Sequence, residues 1–474
     1  MARLFISATR QSSGKTAVTV GIAAALRARG VSVQPFKKGP DYIDPMWIGR
    51  AAQRPCFNLD FHTMSPEAIQ ALFEHHSANA DLALIEGTKG LFDGLDPEGA
   101  DSNAALAHLL EVPVLLVIDA QGMTRGVAPL VLGHLQFDTR IRYAGLVLNN
   151  LGGRRHEKKL RSTLERYTDV PVLGAIPRDE RMALTMRHLG LMPSNEARDA
   201  DTRIEALRSC MEEHVDLDGL LSAAGSAPPL ARATTCSLAE PVASSTPPIR
   251  IGIARDSAFG FYYPDDLLAI ESAGAELIPF DTLNDGGLPD VDGLLIGGGF
   301  PETHLEALEK NRPMREAILD AIEGGMPCYA ECGGLMYLSR AIQWKSRQYE
   351  MVGVLPGEIR MHDKPVGRGY TRLQETEHHP WPKTRVEDSP VCHAHEFHYS
   401  EISALPPDSV FAYRILRGVG IDGDHDGIVY KNLLACYSHL RQVGGCRWVE
   451  RFVQSVRHHK QRIKSPPSRV GNGV

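Results

Sequence analysis

The sequence predicts an α/β fold, in which a P-loop domain built on a doubly wound parallel sheet is followed by a second α/β domain. Three observations support this prediction. Short apolar runs alternate with helical periodicity through the first half, a Ser/Ala/Pro-rich stretch interrupts the alternation, and a new apolar run, IRIGIARD, starts at Ile249. With 474 residues, of which 43% are hydrophobic, the chain is long enough for two domains with ordinary cores.

The first half contains short apolar runs that are typical of buried parallel strands. The segments between them have helical periodicity, as in TAVTVGIAAALRARG. Such a sheet binds ligands at the carboxyl ends of its strands. We therefore expect strands at Leu4–Ser7, Val31–Phe36, Leu82–Ile85, Val114–Ile118, Gly145–Leu148 and Val172–Ile176.

Changes in composition indicate the domain boundaries. The first domain is expected to span residues 1–222, and the Ser/Ala/Pro-rich linker residues 223–248. The second domain spans residues 249–445 and is rich in short strand-like runs in its later part. Residues 446–474 are expected to form a C-terminal helix and a tail.

Charge and hydropathy argue against two kinds of partner. The net charge of −7 and the pI near 6.3 lack the basic footprint of a nucleic-acid-binding protein. No apolar run reaches the roughly 18 residues of a membrane span. The N-terminus, MARLFISATRQ, reads as a strand entering a loop and not as a secretory signal. We therefore expect no nucleic-acid or membrane partner and a cytoplasmic location.

The eight cysteines are scattered along the chain, without the spacing of a disulfide framework or a structural zinc site. Cys332 stands apart, because glycines flank it. The others are expected to be small buried or surface residues: Cys56, Cys210, Cys236, Cys328, Cys392, Cys436 and Cys446.

A phosphate-binding loop, SATRQSSGKT, lies between the first expected strand and the first helix. In this context the backbone N–H groups around Ser13 and Gly14 would surround phosphate oxygens. Lys15 would reach the β- and γ-phosphates, and Thr16 would ligate magnesium. The sequence therefore predicts an ATP site with Mg²⁺.

Charged and polar residues follow the neighbouring strands, at the same edge of the sheet. Lys37 ends the second strand, Asp41 and Asp44 lie in the next loop, and Glu86 ends LALIE. Carboxylates placed here can hold magnesium, for which we favour Asp41 and Glu86 with Thr16, and can orient an acceptor. Asn149 is expected either to read an adenine edge or to cap its strand. Such a site can phosphorylate a carboxylate, and an amine can then displace the phosphate.

A second reactive centre is predicted around Cys332 in YAECGGLMYL. A cysteine on a tight Gly-flanked turn is held at a strand end, where its thiolate can attack the side-chain amide of glutamine. His439, in CYSHL, is the expected base. The oxyanion donors are expected among the backbone amides of Gly298, Gly299 and Gly333.

The group that orients His439 is open at this level. Two residues after the histidine, where an acid is common, this chain has Arg441. The histidine is therefore oriented by another group or works as one half of a dyad. His395, Glu396 and His398, in AHEFHYSEI, are candidate partners or substrate-facing residues.

An ordered set of motifs resembles the cobyrinic acid a,c-diamide synthase family: SATRQSSGKT, FKKGPDYIDP, LIEGTKGLFDG, GGGFPE, AECGGLMYL and HEFHYS. The resemblance implies a dethiobiotin-synthetase-like domain joined to a class I glutamine amidotransferase domain. It implies the use of ATP, magnesium and glutamine to convert the a and c acetate carboxylates of a corrin precursor into amides. It places Asp41, Tyr42, Asp44 and Glu86 near the substrate carboxylate and metal, makes Cys332 the nucleophile, and is compatible with a homodimer.

Two alternatives come with this resemblance. Relatives amidate other tetrapyrroles, so sirohaem or sirohydrochlorin is the competing acceptor, and the segment PMWIGRAAQRPCFNLDF lacks a histidine that many corrin-amidating members carry there. ParA- and MinD-like ATPases share the fold of the first domain and act as switches. They usually carry an extra lysine early in the loop, where this chain has Thr9-Arg10-Gln11.

Overall fold

The computed structural model describes residues 1–182, 184, 186–187, 190–230, 248–383 and 391–464. The chain forms two compact units, Met1–Leu238 and Ala239–Val474. Of the expected linker, residues up to Gly225 belong to a helix, and residues 231–247 lie outside the described part. The expected tail beyond residue 464 also lies outside it.

The first unit is built on a seven-stranded sheet in which every pairing is parallel. The strand order is β3-β2-β4-β1-β5-β6-β7, so the chain winds outwards on both sides of β1. The strands are β1 (Ala2–Ala8), β2 (Val33–Lys38), β3 (Phe57–Leu59), β4 (Leu82–Glu86), β5 (Val114–Asp119), β6 (Tyr143–Leu151) and β7 (Val172–Pro177), followed by the short pair β8 (Met186–Arg187) and β9 (Gly190–Leu191). All the expected strands are present, and β3 is an addition.

Helices cover this sheet. Helix α1 is almost wholly buried, because its alanines and β-branched residues pack with strands β1, β4 and β5 in one apolar cluster. The helices are α1 (Lys15–Ala28), α2 (Ile43–Ala52), α3 (Pro66–Ser77), α4 (Asn103–Leu109), α5 (Val127–Phe137), α6 (Arg154–Tyr167), α7 (Ala200–His214) and α8 (Leu217–Gly225).

The second unit contains a nine-stranded mixed sheet, in the order β12-β10-β13-β15-β24-β23-β22-β19-β20. Its first five strands pair in parallel and the rest are antiparallel. The strands of the unit are β10 (Ile249–Ala254), β11 (Phe259–Phe261), β12 (Ala275–Phe280), β13 (Gly293–Ile296), β14 (Gly298–Gly299), β15 (Cys328–Glu331), β16 (Ser339–Trp344), β17 (Arg347–Glu350), β18 (Leu355–Met361), β19 (Gly367–Glu375), β20 (Val391–His398), β21 (Ser400–Ser403), β22 (Val410–Arg417), β23 (His425–Tyr430) and β24 (Leu433–Cys436).

The helices of this unit include the expected C-terminal one. They are α9 (Pro264–Ser272), α10 (Leu305–Lys310), α11 (Arg312–Glu323), α12 (Gly333–Leu338) and α13 (Trp448–Lys464). Helix α13 buries Trp448, Phe452 and Val456 against the sheet. No helix in the described ranges is long and apolar enough to cross a bilayer.

Two cysteines depart from the expectation. Cys392 and Cys446 form a disulfide, with their Cα atoms 5.4 Å apart. The expectation that they are unpaired was wrong, because strand β20 brings Cys392 beside the chain entering α13, 54 residues further along. The free cysteines in the described part, Cys56, Cys210, Cys328, Cys332 and Cys436, are all buried, and Cys236 lies outside it.

Candidate active sites

The loop between β1 and α1 takes a conformation that requires glycine. Gly14 has φ +91°, and a Cβ there would lie 2.3 Å from the side-chain nitrogen of Asn149. That nitrogen donates to the carbonyl of Ser13 at 3.0 Å, while the Ser13 hydroxyl donates to the carbonyl of Arg10. Asn149, at the end region of β6, therefore fixes the shape of the loop. This contact differs from the two roles expected for Asn149, which were to read an adenine edge or to cap its strand.

Lys15 begins helix α1 and turns its ammonium back over the loop. Its Nζ donates to the carbonyl of Lys89 at 2.6 Å. Burial lowers the pKa of Lys15, and the nearby Glu86 carboxylate opposes that effect. The ammonium is thus held at the carboxyl ends of β1 and β4, where the phosphate site was expected.

Lys37 lies at the centre of a buried cluster of carboxylates. Its Nζ is 2.5 Å from Asp44 Oδ2, 2.8 Å from Glu86 Oε1 and 3.7 Å from Asp41 Oδ2. The Thr16 hydroxyl lies 2.9 Å from Glu86 Oε1 and 3.3 Å from Asp44 Oδ2. The structure therefore brings together five of the residues expected at this edge from four separate segments.

Charge and burial shift the titration of these groups in different directions. Burial, with repulsion from Asp44, raises the pKa of Asp41 to about 7. Burial also raises the pKa of Glu86, with Lys37 opposing it. Burial alone would raise the pKa of Asp44, but the Lys37 ammonium outweighs that effect, so the pKa is lowered. Burial disfavours the charged form of Lys37, yet the three carboxylates raise its pKa well above the usual value.

This cluster fits a magnesium ion that is also bound by phosphate. Glu86 is fully buried, and its Oε2 has no hydrogen-bond partner among the residues that the structure describes. The donors present are carboxylate and hydroxyl oxygens, which Mg²⁺ prefers. Within the described ranges, no three His, Cys, Asp or Glu side chains form a metal cage by themselves. Mg²⁺ does not need one, since it usually binds one or two carboxylates, phosphates and water.

Asp41 and Tyr42 lie at the start of α2, beside this cluster. Asp41 Oδ1 accepts from the backbone N–H groups of Ile43 and Asp44, at 2.9 and 3.1 Å. Its other carboxylate oxygen faces Lys37. Tyr42 is buried. Asp41 therefore accepts hydrogen bonds from the first backbone N–H groups of α2, as a turn carboxylate commonly does, and also lies beside the Lys37 cluster.

Cys332 stands on a sharp turn between β15 and α12. Its backbone has φ +46° and ψ −99°, outside the conformations that a side-chain-bearing residue ordinarily adopts. The glycines that follow permit the turn, because a Cβ on Gly334 would lie 2.0 Å from the carbonyl of Ile296. The thiol is 7% exposed and faces the carbonyl of Phe397 on β20.

His439 lies just after β24, the strand that pairs in parallel with β15, and Cys332 follows β15 directly. The Nδ1 atom of the ring is 3.4 Å from Glu331 Oε2. Burial opposes the charged ring, but hydrogen bonds to Cys332 and Glu331 raise the pKa of His439 to about 10. The structure therefore places Cys332 and His439 at the ends of neighbouring strands, and their pairing stays a prediction.

Glu331 is the residue that sequence reasoning missed. The acid was sought after the histidine or in AHEFHYSEI, whereas it immediately precedes the cysteine in AECGG. Arg441 pairs instead with Asp265, 2.7 Å away. Glu396 accepts from the backbone amides of Val419 and Gly420, both at 2.8 Å.

The remaining candidate partners contact other groups. His398 Nδ1 lies 2.7 Å from the carbonyl of Ser400, and its ring stacks on Tyr437. His395 joins His439 through a backbone bridge, with the two rings stacked at 5.4 Å. His395 therefore flanks the base without supplying a carboxylate.

The expected oxyanion glycines converge on this turn. A Cβ on Gly298 would lie 2.7 Å from His439 Cε1, and one on Gly299 would lie 1.9 Å from the carbonyl of Ala258. A Cβ on Gly333 would lie 3.0 Å from the backbone nitrogen of Gly299. These backbones approach one another closely only because none carries a side chain.

Comparisons with known proteins find matches to both halves of the chain. Residues 4–191 match the family model described as "CobQ/CobB/MinD/ParA nucleotide binding domain", and residues 250–443 match "CobB/CobQ-like glutamine amidotransferase domain". A "Cobyrinate a,c-diamide synthase" of Magnetococcus marinus is 50% identical over 94% of this chain and 95% of its own length. Proteins with the same name from Methanosarcina acetivorans and Archaeoglobus fulgidus are 41% and 38% identical, over 93% and 97% of this chain and 92% and 98% of their own.

The fold, the two centres and these matches define an ATP-using, glutamine-hydrolysing carbon–nitrogen ligase. More particularly, the chain belongs to the cobyrinate a,c-diamide synthase family. The resemblance drawn from the motifs is confirmed.

Proposed function

We propose that this enzyme converts the a and c acetate carboxylates of cobyrinate or hydrogenobyrinate into amides, with nitrogen from glutamine and activation by Mg-ATP. The observation that carries the proposal is the placement in one chain of Cys332 and His439 at neighbouring strand ends and of a Lys37–carboxylate cluster beside a phosphate loop. The names of the relatives support the choice of substrate. The other acceptors considered, sirohaem and sirohydrochlorin, have no comparable support.

The glutamine half-reaction is assigned to the second unit. Cys332 Sγ attacks the side-chain carbonyl carbon of glutamine as a thiolate, its proton having passed to His439. The C–N bond then breaks, and His439 passes that proton to the leaving nitrogen, which departs as ammonia. Water, deprotonated by the same ring, cleaves the thioester and releases glutamate. Backbone N–H groups of Gly298, Gly299 and Gly333 are the assigned donors to the tetrahedral oxyanion.

The activation half-reaction is assigned to the first unit. The backbone amides at Ser13 and Gly14 and the ammonium groups of Lys15 and Lys37 would stabilise the transferred phosphoryl charge. Thr16, Asp41 and Glu86 would hold Mg²⁺, and the contact of Asp44 with Thr16 adds it to this set. The ion, when bound, would neutralise phosphate charge.

The acceptor carboxylate is assigned to the surroundings of Asp41, Tyr42, Asp44 and Glu86. A substrate carboxylate attacks the γ-phosphorus, ADP leaves, and an acyl phosphate results. Ammonia then attacks the acyl carbon and phosphate leaves. The attacking nitrogen loses a proton, which the departing phosphate takes up as HPO₄²⁻.

The nucleoside is assigned to a cavity of about 370 Å³ at the same edge of the sheet. It is lined by residues at the ends of β5, β6 and β7 and in the segments after them, including Gln121, Asn150, His156 and Arg178. Asn149 contributes to ATP binding by holding the loop through Ser13.

An isotope experiment tests the acyl phosphate. Acceptor carboxylates labelled with ¹⁸O are incubated with enzyme, Mg-ATP and glutamine, and both amide product and phosphate are analysed by mass spectrometry. The proposal expects one ¹⁸O atom in phosphate for each amide formed. Amide formation with unlabelled phosphate would contradict this mechanism.

Parallel reactions with cobyrinate, hydrogenobyrinate, sirohydrochlorin and sirohaem test the acceptor. Two amidations of a corrin are expected. Amidation of the sirohaem series alone would keep the chemistry and overturn the substrate. ATP hydrolysis without amidation of any ring would favour a nucleotide switch.

A further inference from the structure

We propose that Glu331 is the positioning residue of the glutamine site, holding His439 in the tautomer and orientation that face its second ring nitrogen towards Cys332. This inference rests on the proposed roles of Cys332 and His439. It supplies the acid that is absent two residues after the histidine.

The carboxylate of Glu331 is itself fixed in place. Its Oε1 accepts from the backbone N–H of Leu440 at 2.9 Å and from the hydroxyl of Tyr329. Oε2 is thereby directed to His439 Nδ1, 3.4 Å away. Since Leu440 directly follows His439, the Glu331 carboxylate contacts both the ring of the base and the backbone next to it.

Local sequence explains how this geometry arises. Glu331 is the last residue of β15 and Cys332 is the turn residue after it, while β24 pairs in parallel with β15 and ends just before His439. Neighbouring parallel strands therefore deliver acid, nucleophile and base to one sheet edge. A carboxylate at Nδ1 places the proton there and leaves Nε2 to exchange a proton with the thiol.

The support behind Glu331 is rigid. Tyr329 is fully buried, and its ring packs edge-on against Trp381 at 5.1 Å and tilted against Trp448 at 4.8 Å. Trp448 begins α13, next to the Cys392–Cys446 disulfide. This packing holds the Tyr329 hydroxyl in the position from which it donates to Glu331.

Other titratable groups also lie near the base. Besides Glu331, the neighbours of His439 are the Cys332 thiol from the elbow and the His395 ring from β20. Arg441, on the same segment, is engaged with Asp265. Of these neighbours, Glu331 is the carboxylate in contact with the ring.

The test is Glu331→Gln, which keeps the shape and removes the charge. Glutamine hydrolysis is expected to fall at least about 10²-fold, as when an orienting carboxylate is neutralised in other triads. The high-pH limb of its kcat/KM, which reports loss of the imidazolium proton, should move down by about one pH unit or more. Amidation with ammonium salts should remain. Because the α-amine of glutamine titrates alike for every variant, the comparison isolates the enzyme group.

Two variants accompany it. Glu358→Gln neutralises another carboxylate of this unit, one that pairs with Arg340 on β16, and should leave the high-pH limb in place. Tyr329→Phe removes one donor to Glu331 and should lower glutamine hydrolysis by less than Glu331→Gln does, because the backbone N–H of Leu440 still holds the carboxylate. A Glu331→Gln enzyme with an unmoved limb overturns the proposal, whatever its rate.

Failure of the underlying assignment is recognised separately. If Cys332→Ala still hydrolyses glutamine, the proposed site is wrong, and the Glu331 inference is overturned with it. If Cys332→Ala is inactive with glutamine while Glu331→Gln matches the parent enzyme in rate and pH profile, only the positioning role is wrong.

Discussion

At Gly298 the absence of a side chain leaves room for the catalytic imidazole. A methyl group added at this position would lie 2.7 Å from His439 Cε1. This spacing is below the range that Cβ atoms adopt, so either the ring or the strand must move. The glycine therefore protects the alignment of the base as well as the approach of backbone donors.

We expect Gly298→Ala to lower glutamine hydrolysis by about 10²-fold, since a misplacement near 1 Å at a reacting centre has effects of this size. Ammonium-dependent amidation should be unchanged. Steady-state kinetics with each nitrogen source measure the difference. Gly287→Ala is the matched control, because no atom lies within 4 Å of its added Cβ. An unaltered Gly298→Ala enzyme would contradict the assigned geometry.

Lys15 is the residue on which activation is expected to depend. Its ammonium lies over the phosphate loop, held by the carbonyl of Lys89. Lys15→Ala should lower amidation at least about 10²-fold with either glutamine or ammonium, because a donor to the transferred phosphate is lost. Product formation followed by mass spectrometry provides the measurement. Lys159→Ala, an exposed lysine on α6, is the control, and a Lys15→Ala enzyme that kept its activity with ammonium would refute the role.

At the scale of elements, a buried cation, the guanidinium of Arg451, links α13 to the second sheet. The Arg451 guanidinium binds the Glu375 carboxylate of β19, the carbonyls of Trp381 and Pro382, and the ring of His379. The side chains of Arg451 and Glu375 are both nearly inaccessible to solvent. A buried pair of this kind is sensitive to the loss of one partner, since the remaining charge stays desolvated.

Arg451→Met is therefore expected to lower the free energy of unfolding of this unit by about 3–5 kcal/mol. Urea unfolding followed by tryptophan fluorescence measures it, because Trp381 and Trp448 lie in the same cluster. Arg312→Met, which breaks an exposed pair with Glu316 on α11, should leave the midpoint unchanged. Equal midpoints for the two variants would show that the contact contributes little.

The spacing of apolar residues and the position of polar residues at strand ends predicted much of the molecule. Contacts between residues far apart in the sequence were not predicted. Apolar runs found the parallel strands of the first unit, and the rule that ligands gather at carboxyl ends found Lys37, Asp41, Asp44 and Glu86 together. Strand β3 was missed because three residues, FNL, have no measurable period. The Cys392–Cys446 pair was missed because it depends on a tertiary contact.

Glu331 was missed for a related reason. The position two residues after the histidine holds Arg441, and the candidate partners were taken from AHEFHYSEI, whereas Glu331 lies on the strand next to the one that precedes His439. Adjacent residues on a strand normally point to opposite faces. The sharp turn at Cys332 removes that alternation, so that Glu331 and Cys332 both reach His439.

For the whole molecule, the two centres lie in different compact units. Cys332→Ala should consequently abolish amidation with glutamine and retain it with ammonium salts. Assays with both nitrogen sources, with the Lys15→Ala enzyme as a reference that loses both, measure this separation. Loss of the ammonium activity in a folded Cys332→Ala enzyme would show that the thiol also serves the first unit.

The backbone at Cys332 has one further consequence. A side-chain-bearing residue at φ +46° and ψ −99° stores roughly 1–3 kcal/mol of strain, which glycine would relieve. Cys332→Gly should therefore unfold at a higher temperature than Cys332→Ala, which lacks the thiol but keeps the strain; calorimetry of the pair decides this. A search for more stable sequences would thus select against the nucleophile itself, and any thermostable descendant of this enzyme has to be screened for glutamine use as well as for melting temperature.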